Sequence, residues 1–76
     1  MIKILLFAHL QEAIGSREII WTDVPISVGE LRKKVAEKYN LLLQSVMVAV
    51  NEEYADDQVE LKDGDTVAFI PPVSGG

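Results

Sequence analysis

The segment Ser27-Val28-Gly29-Glu30 is the strongest local instruction in this chain, because it opens the only long amphipathic stripe the sequence contains. The Ser27 hydroxyl is placed to accept from the Glu30 amide while the Glu30 carboxylate reaches back to the Ser27 amide, the reciprocal pattern of a capping box. Ile26 before the cap and Leu31 beyond it have the spacing of a hydrophobic staple, and Pro25 keeps the entering chain extended. Val28, Leu31, Val35 and Tyr39 then recur on one side, which leaves Glu30, Lys33, Lys34, Glu37 and Lys38 to water. Asn40 tolerates the left-handed conformation and supplies the stop. One helix with one apolar stripe needs a sheet to lie on.

The rest of the sequence reads as that sheet. Residues 2–8 put Ile2, Ile4 and Leu6 on one side and Lys3, Leu5 and Phe7 on the other. Residues 9–14 make a short helical turn that Gly15-Ser16 stops, and residues 17–22 return as a second strand. Residues 46–50 are a continuous apolar run with three Val, the pattern of a strand buried on both faces. Asn51-Glu52-Glu53 makes a turn, Tyr54-Ala55 a very short strand, Asp56-Asp57 another turn, and Lys62-Asp63-Gly64-Asp65 a reversal into a last strand over residues 66–70. Pro71-Pro72 then ends the ladder, since neither residue has an amide hydrogen to donate. The order predicts an α+β, β-grasp (ubiquitin-like) fold: a mixed sheet of four or five strands, one main amphipathic helix and short helical turns. Residues 1–70 form the domain and residues 71–76 an extended tail. A ferredoxin-like alternative lacks its second helix.

Composition removes whole classes of function. Seventy-six residues make one small domain, and 49% apolar with 25% charged residues is a globular balance. A net charge of −5 disfavours partners held through phosphates or anionic lipid, so neither nucleic acid nor membrane is expected. The absence of Cys excludes disulfides, thiolate metal sites, Cys nucleophiles and sulfur carried on a side chain, and a single His excludes a multi-histidine metal site. No metal is expected. His9 has no orienting partner in the sequence and reads as a surface histidine. Asp63-Gly64-Asp65 fails the calcium-loop spacing, and Gly15, Gly29 and Gly64 are isolated rather than a phosphate-binding loop. The opening apolar run meets His9, Gln11 and Glu12 too early for a signal peptide, and no run nears the roughly 18 apolar residues of a membrane span. The expected location is cytoplasmic.

Two features remain unspent. If Ile4, Leu6, Val67 and Phe69 face the helix, then Leu5, Phe7, Ala68 and Ile70 face away from it and, joined by Tyr54, form an apolar patch suited to a partner unless loops cover it. The tail is the second. Pro71-Pro72 stiffens it, Val73 and Ser74 extend it, and Gly75-Gly76 has no Cβ to block entry into a narrow channel. Six residues reach about 20 Å at roughly 3.3 Å each. Such a tail is expected to order only when a partner binds.

The stretches Ile2-Lys3-Ile4-Leu5-Leu6-Phe7-Ala8 and Ala49-Val50-Asn51, and above all Asp63-Gly64-Asp65-Thr66-Val67-Ala68-Phe69-Ile70-Pro71-Pro72-Val73-Ser74-Gly75-Gly76, are similar to one group. They resemble the sulfur-carrying small subunits of molybdopterin synthase, in the MoaD/ThiS family of ubiquitin-like proteins. The resemblance implies that an E1-like adenylating enzyme consumes ATP to activate the Gly76 carboxylate and that a sulfur donor protein supplies the sulfur of a thiocarboxylate. The tail residues Pro71, Pro72, Val73, Ser74 and Gly75 would then insert into the large subunit, within a heterotetramer. There the sulfur passes to cyclic pyranopterin monophosphate, two transfers building the dithiolene that binds molybdenum. It implies no bound cofactor and catalytic side chains that belong to the large subunit. Phe7, Tyr54 and Ile70 fall where contacts to that subunit are expected, Ile70 in place of a common aromatic. Gln11 stands where many relatives carry Arg, so that role is not carried over. A carrier serving thiamine or tRNA thiolation, and a non-covalent β-grasp binding module with an inert tail, are the competing readings.

Overall fold

The computed structural model describes residues 1–72, so Val73, Ser74, Gly75 and Gly76 lie outside the described residues, as does their expected ordering on binding. Strand β1 (Ile2–Leu6) leads through a short helix α1 (His9–Ile14) into an antiparallel β2 (Glu18–Trp21). Gly15 closes α1 at φ 86, a left-handed position that suits glycine, and its amide donates to the Gln11 carbonyl at 2.8 Å. The chain continues through β3 (Ile26–Ser27) into α2 (Val28–Tyr39), then β4 (Met47–Val50), β5 (Glu53–Tyr54), β6 (Glu60–Leu61) and β7 (Thr66–Ile70). Five strands form one mixed sheet in the order β2-β1-β7-β4-β5, with β1 and β7 parallel at its centre. This is the β-grasp arrangement, with α2 packed on one face.

The period-2 alternation explains which face that is. Ile2, Ile4, Leu6, Val48, Val67 and Phe69 are buried on the helix side, where Val28, Leu31 and Val35 of α2 meet them. Each such side chain contributes about 1.5–3 kcal/mol on full burial, so this layer is the main favourable term of the fold. Val46 and Val48 are buried as the apolar run suggests, but of the outward residues of β4 only Ala49 is buried and Met47 is 48% exposed. Its outward residues stay with the outer face of the sheet.

The start of α2 uses one arm of the expected capping box. Ser27 Oγ accepts from the Glu30 amide at 3.1 Å, and among the described residues the Glu30 carboxylate makes no return bond. The first two helical amides are satisfied from elsewhere, Val28 donating to the Val59 carbonyl at 2.9 Å and Gly29 to the Asp57 carbonyl at 3.0 Å. Residue 29 must be small there, since a Cβ on Gly29 would lie 3.0 Å from the Asp57 Cβ. Beside that contact β3 and β6 pair as a separate two-stranded sheet, which two-residue strands do not announce in a sequence. Asn40 ends α2 at φ 56, as expected. Arg32, on the flank of α2, donates to the carbonyls of Leu43 and Val46 and to Asp57 Oδ1, tying the loop into β4 and the loop before β6 to the helix.

Candidate functional site

The outer face of the sheet is built by register. Parallel pairing sets Leu5 beside Ala68, so one pleat further along Phe7 emerges beside Ile70. Antiparallel pairing with β4 adds Met47 opposite Ile70 and Ala49 opposite Ala68, and β5 brings Tyr54 opposite Ala49. Phe7, Tyr54 and Ile70, distant in sequence, therefore share one surface. With Leu5, Ala49 and Ala68 they line a shallow concavity of about 360 Å³, whose polar edge is Asn51, Glu52 and Thr66. Phe7 is 42% and Tyr54 69% exposed, so among the described residues no loop covers them. Phe7 is followed by a strained backbone: Ala8 has φ 54 and ψ −134 where the chain leaves β1 for α1.

The edge of the concavity is held by side-chain hydrogen bonds. Asn51 donates its backbone N–H to the Thr66 carbonyl at 2.8 Å, its side-chain Oδ1 accepts from the Thr66 amide at 3.0 Å, and its Nδ2 donates to Asp65 Oδ1 at 3.0 Å. Asp65 Oδ2 accepts from the Lys62 amide at 3.0 Å. The Lys62 amide first, and then the Asn51 side chain, hold the Asp65 carboxyl below its ordinary value of 3.8. Asn51 and Glu52 form a two-residue hairpin turn with φ 50 and φ 73, a geometry that Asn accepts readily and Glu does not.

The other residues considered in the sequence fall away from this face or into structural roles. Pro71, expected to open the tail, is buried at the end of β7, and Pro72 is exposed. Pro71 thus belongs to the body rather than to the expected tail. His9 is an exposed residue at the start of α1. Gln11 donates Nε2 to the Leu6 carbonyl at 2.9 Å, closing the end of β1. Among the described residues no group of three His, Asp or Glu side chains is placed to hold a metal ion, and no helix is long and apolar enough to cross a membrane. A hollow of about 250 Å³ beside α2, between Arg32, Lys33, Leu42 and Gln44, has neither carboxylate nor histidine in its lining and so no acid and base pair. Met47, Ala49, Asn51 and Glu52 were not foreseen as part of the face. Their signal was the alternation along residues 46–50 and the register of β4 on β7, of which only the first is visible in a sequence.

The described surface therefore offers an exposed apolar concavity beside the end of β7, and no catalytic constellation among the described residues. Residues 4–76 match the ThiS family. The chain is 38% identical over 82 residues to the molybdopterin synthase sulfur carrier subunit of Escherichia coli, covering 100% of both chains. Its fold matches the crystal structure of SAMP1 from Haloferax volcanii with a TM-score of 0.79 at 29% identity, covering 99% of this chain and 98% of that one. It also matches a chain in the protein–protein complex of subunits 1 and 2 of the molybdopterin-converting factor from Helicobacter pylori, with a TM-score of 0.67 at 29% identity over 99% and 97% of the two chains. With 73 of its 76 positions inside the family match and its β-grasp fold shared with these structures, this chain belongs to the ThiS family.

Proposed function

We propose that this chain is the sulfur-carrier subunit of a molybdopterin synthase. The observation that carries the reading is the full-length similarity to a sulfur carrier subunit, in a family match that runs through Gly75 and Gly76. The apolar concavity beside the start of the tail supports it, because a carrier must dock its body while its end enters another protein. From Pro72 onward five residues span at most about 17 Å at roughly 3.3 Å each, enough to cross the wall of a neighbouring subunit. The Helicobacter pylori relative, whose structure is a complex of subunits 1 and 2 of a molybdopterin-converting factor, supports a large-subunit partner.

The chemistry follows from what a carboxylate lacks. It resists nucleophiles until its oxygen becomes part of a leaving group, so the Gly76 carboxylate attacks the α-phosphate of ATP on an E1-like adenylating enzyme, releasing pyrophosphate. A sulfur donor protein then delivers sulfur at the oxidation level of sulfide to the acyl carbon, and AMP leaves. The product is a thiocarboxylate, ionised and nucleophilic at neutral pH. With no Cys in the chain, Gly76 is where such sulfur can ride. In the large subunit the sulfur forms a bond to a carbon of cyclic pyranopterin monophosphate, and oxygen from water restores the carboxylate. Two successive transfers to the same precursor, each from a freshly thiocarboxylated carrier, complete the dithiolene within the heterotetramer. Phe7, Tyr54 and Ile70 position the carrier; the large subunit provides the acid and base groups. A cycle that consumes ATP fits the cytoplasmic carrier proposed for this chain.

The likeness to SAMP1, a small archaeal modifier protein, favours one second reading, in which the Gly76 adenylate is passed to a lysine amine of another protein. A reconstitution separates them. The thiocarboxylated chain, the large subunit and cyclic pyranopterin monophosphate should yield the dithiolene product, and removal of Gly76 should abolish the yield without lowering the melting temperature. Full product from the protein lacking Gly76 would overturn the reading. Sulfur delivered only to thiamine precursors or tRNA, or the chain found joined to lysines, would replace it with the corresponding alternative.

A further inference from the structure

We infer that Glu52 reads the charge of the partner: it receives one lysine or arginine of the large subunit, next to the apolar side chain that fills the concavity between Phe7 and Tyr54. The inference rests on the sulfur-carrier reading, which supplies the partner. Glu52 is the one formally charged residue in the lining of the concavity. Elsewhere on this face Lys3 and Glu18 lie close enough to pair with each other, at 3.9 Å, whereas among the described residues Glu52 makes no ion pair. An apolar floor with a single uncompensated carboxylate at its edge is complementary to an apolar projection flanked by one cation.

The backbone supplies a second, independent observation. Glu52 sits at φ 73 in a two-residue turn whose second position strongly favours glycine. A side chain there holds the residue in strain that Gly would relieve, yet it gives the local fold nothing: among the described residues the Glu52 carboxylate accepts no hydrogen bond. Its neighbour Asn51 is fastened to Asp65 and Thr66, so the turn presents the carboxylate from a fixed base. A locally unfavourable residue, held rigidly at the rim of a docking face, fits a group whose partner arrives from outside.

The test is the affinity of the full chain for the molybdopterin synthase large subunit of the same organism, at two ionic strengths. Glu52→Lys should weaken binding about tenfold or more, while Glu37→Lys, the same change of charge on the far side at α2, should stay within about twofold. Glu52→Gln should bind more weakly than the natural chain and show a smaller salt dependence. Glu52→Gly should raise the melting temperature and still weaken binding, two opposite signs that a purely structural residue would not give. Equal losses for Glu52→Lys and Glu37→Lys, or natural affinity in Glu52→Gly, would overturn the inference and leave the sulfur-carrier reading intact. If the natural chain forms no complex with the large subunit and Gly76 takes up no sulfur, that reading falls and the inference falls with it.

Discussion

The two faces of the sheet are made by the same strands, from residues one position apart, and both are apolar. On one, Ile4, Leu6, Val67 and Phe69 are sealed beneath α2. On the other, Leu5, Phe7, Ala68 and Ile70 lie under nothing the described chain supplies, with Phe7, Tyr54 and Met47 well exposed. Hydrophobic burial accounts for the first set as a condition of folding. It cannot account for the second, which the folded chain leaves in water. The difference teaches that apolar character on this sheet has two separate causes, and only the helix-covered face is explained by the protein's own stability.

That contrast can be broken or sharpened by substitution. Phe69→Ala empties the centre of the covered face and should lower stability by about 3–5 kcal/mol in chemical denaturation; a loss near that of a surface residue would show that the layer under α2 is not what holds the fold. Phe7→Ala on the open face should do the reverse. It should weaken binding to the large subunit by about 2 kcal/mol, roughly thirtyfold, while stability changes by less than about 1 kcal/mol. Unfolding of Phe7→Ala to the same extent as Phe69→Ala would erase the distinction between the faces.

Smaller effects sharpen the edge of the open face. Asp65→Asn exchanges a carboxylate that accepts two hydrogen bonds for an amide, with an expected loss of about 1–2 kcal/mol at neutral pH. Because the folded carboxyl is held below its ordinary 3.8, the unfolded chain takes up its proton first as the solution is acidified. Its contribution is therefore complete above about pH 4 and lost as pH falls through the lower, folded value, so Asp65→Asn should show a shallower acid slope than the natural chain. Ala8→Gly removes the side chain from a left-handed backbone and should stabilise the protein by about 1 kcal/mol, read as a rise in melting temperature. A fall would mean that Ala8 is not strained.

Much of this is legible in the sequence, and the reason is periodicity. The stripe of α2, its Ser27 cap and Asn40 stop, and the alternation through residues 2–8 and 66–70 are repeated local signals, and they place Phe7 and Ile70 together once β1 and β7 are taken as neighbours. Tyr54 joins them only through the pairing of β5 with β4. What escaped has no local period. The β3 and β6 strands are two residues each, Arg32 looks like one more solvated cation of α2, and the Asn51 to Asp65 contact joins two turns far apart in the chain. Pro71 reads as tail by composition, yet the inward phase of Val67 and Phe69 carries on to it and buries it. Glu52 reads in the sequence as an ordinary turn residue, because neither its left-handed backbone nor the apolar floor beside it exists until the hairpin forms.

The central claim is that Gly76 carries sulfur, and the intact mass of the protein tests it most directly. After incubation with ATP, the activating enzyme and a sulfur donor, the mass should rise by the difference between one sulfur and one oxygen, and a protein lacking Gly76 should be unchanged. An unaltered mass, obtained with an activating enzyme that modifies a known carrier in the same mixture, would contradict the account and leave the open face as the site of a non-covalent binding module.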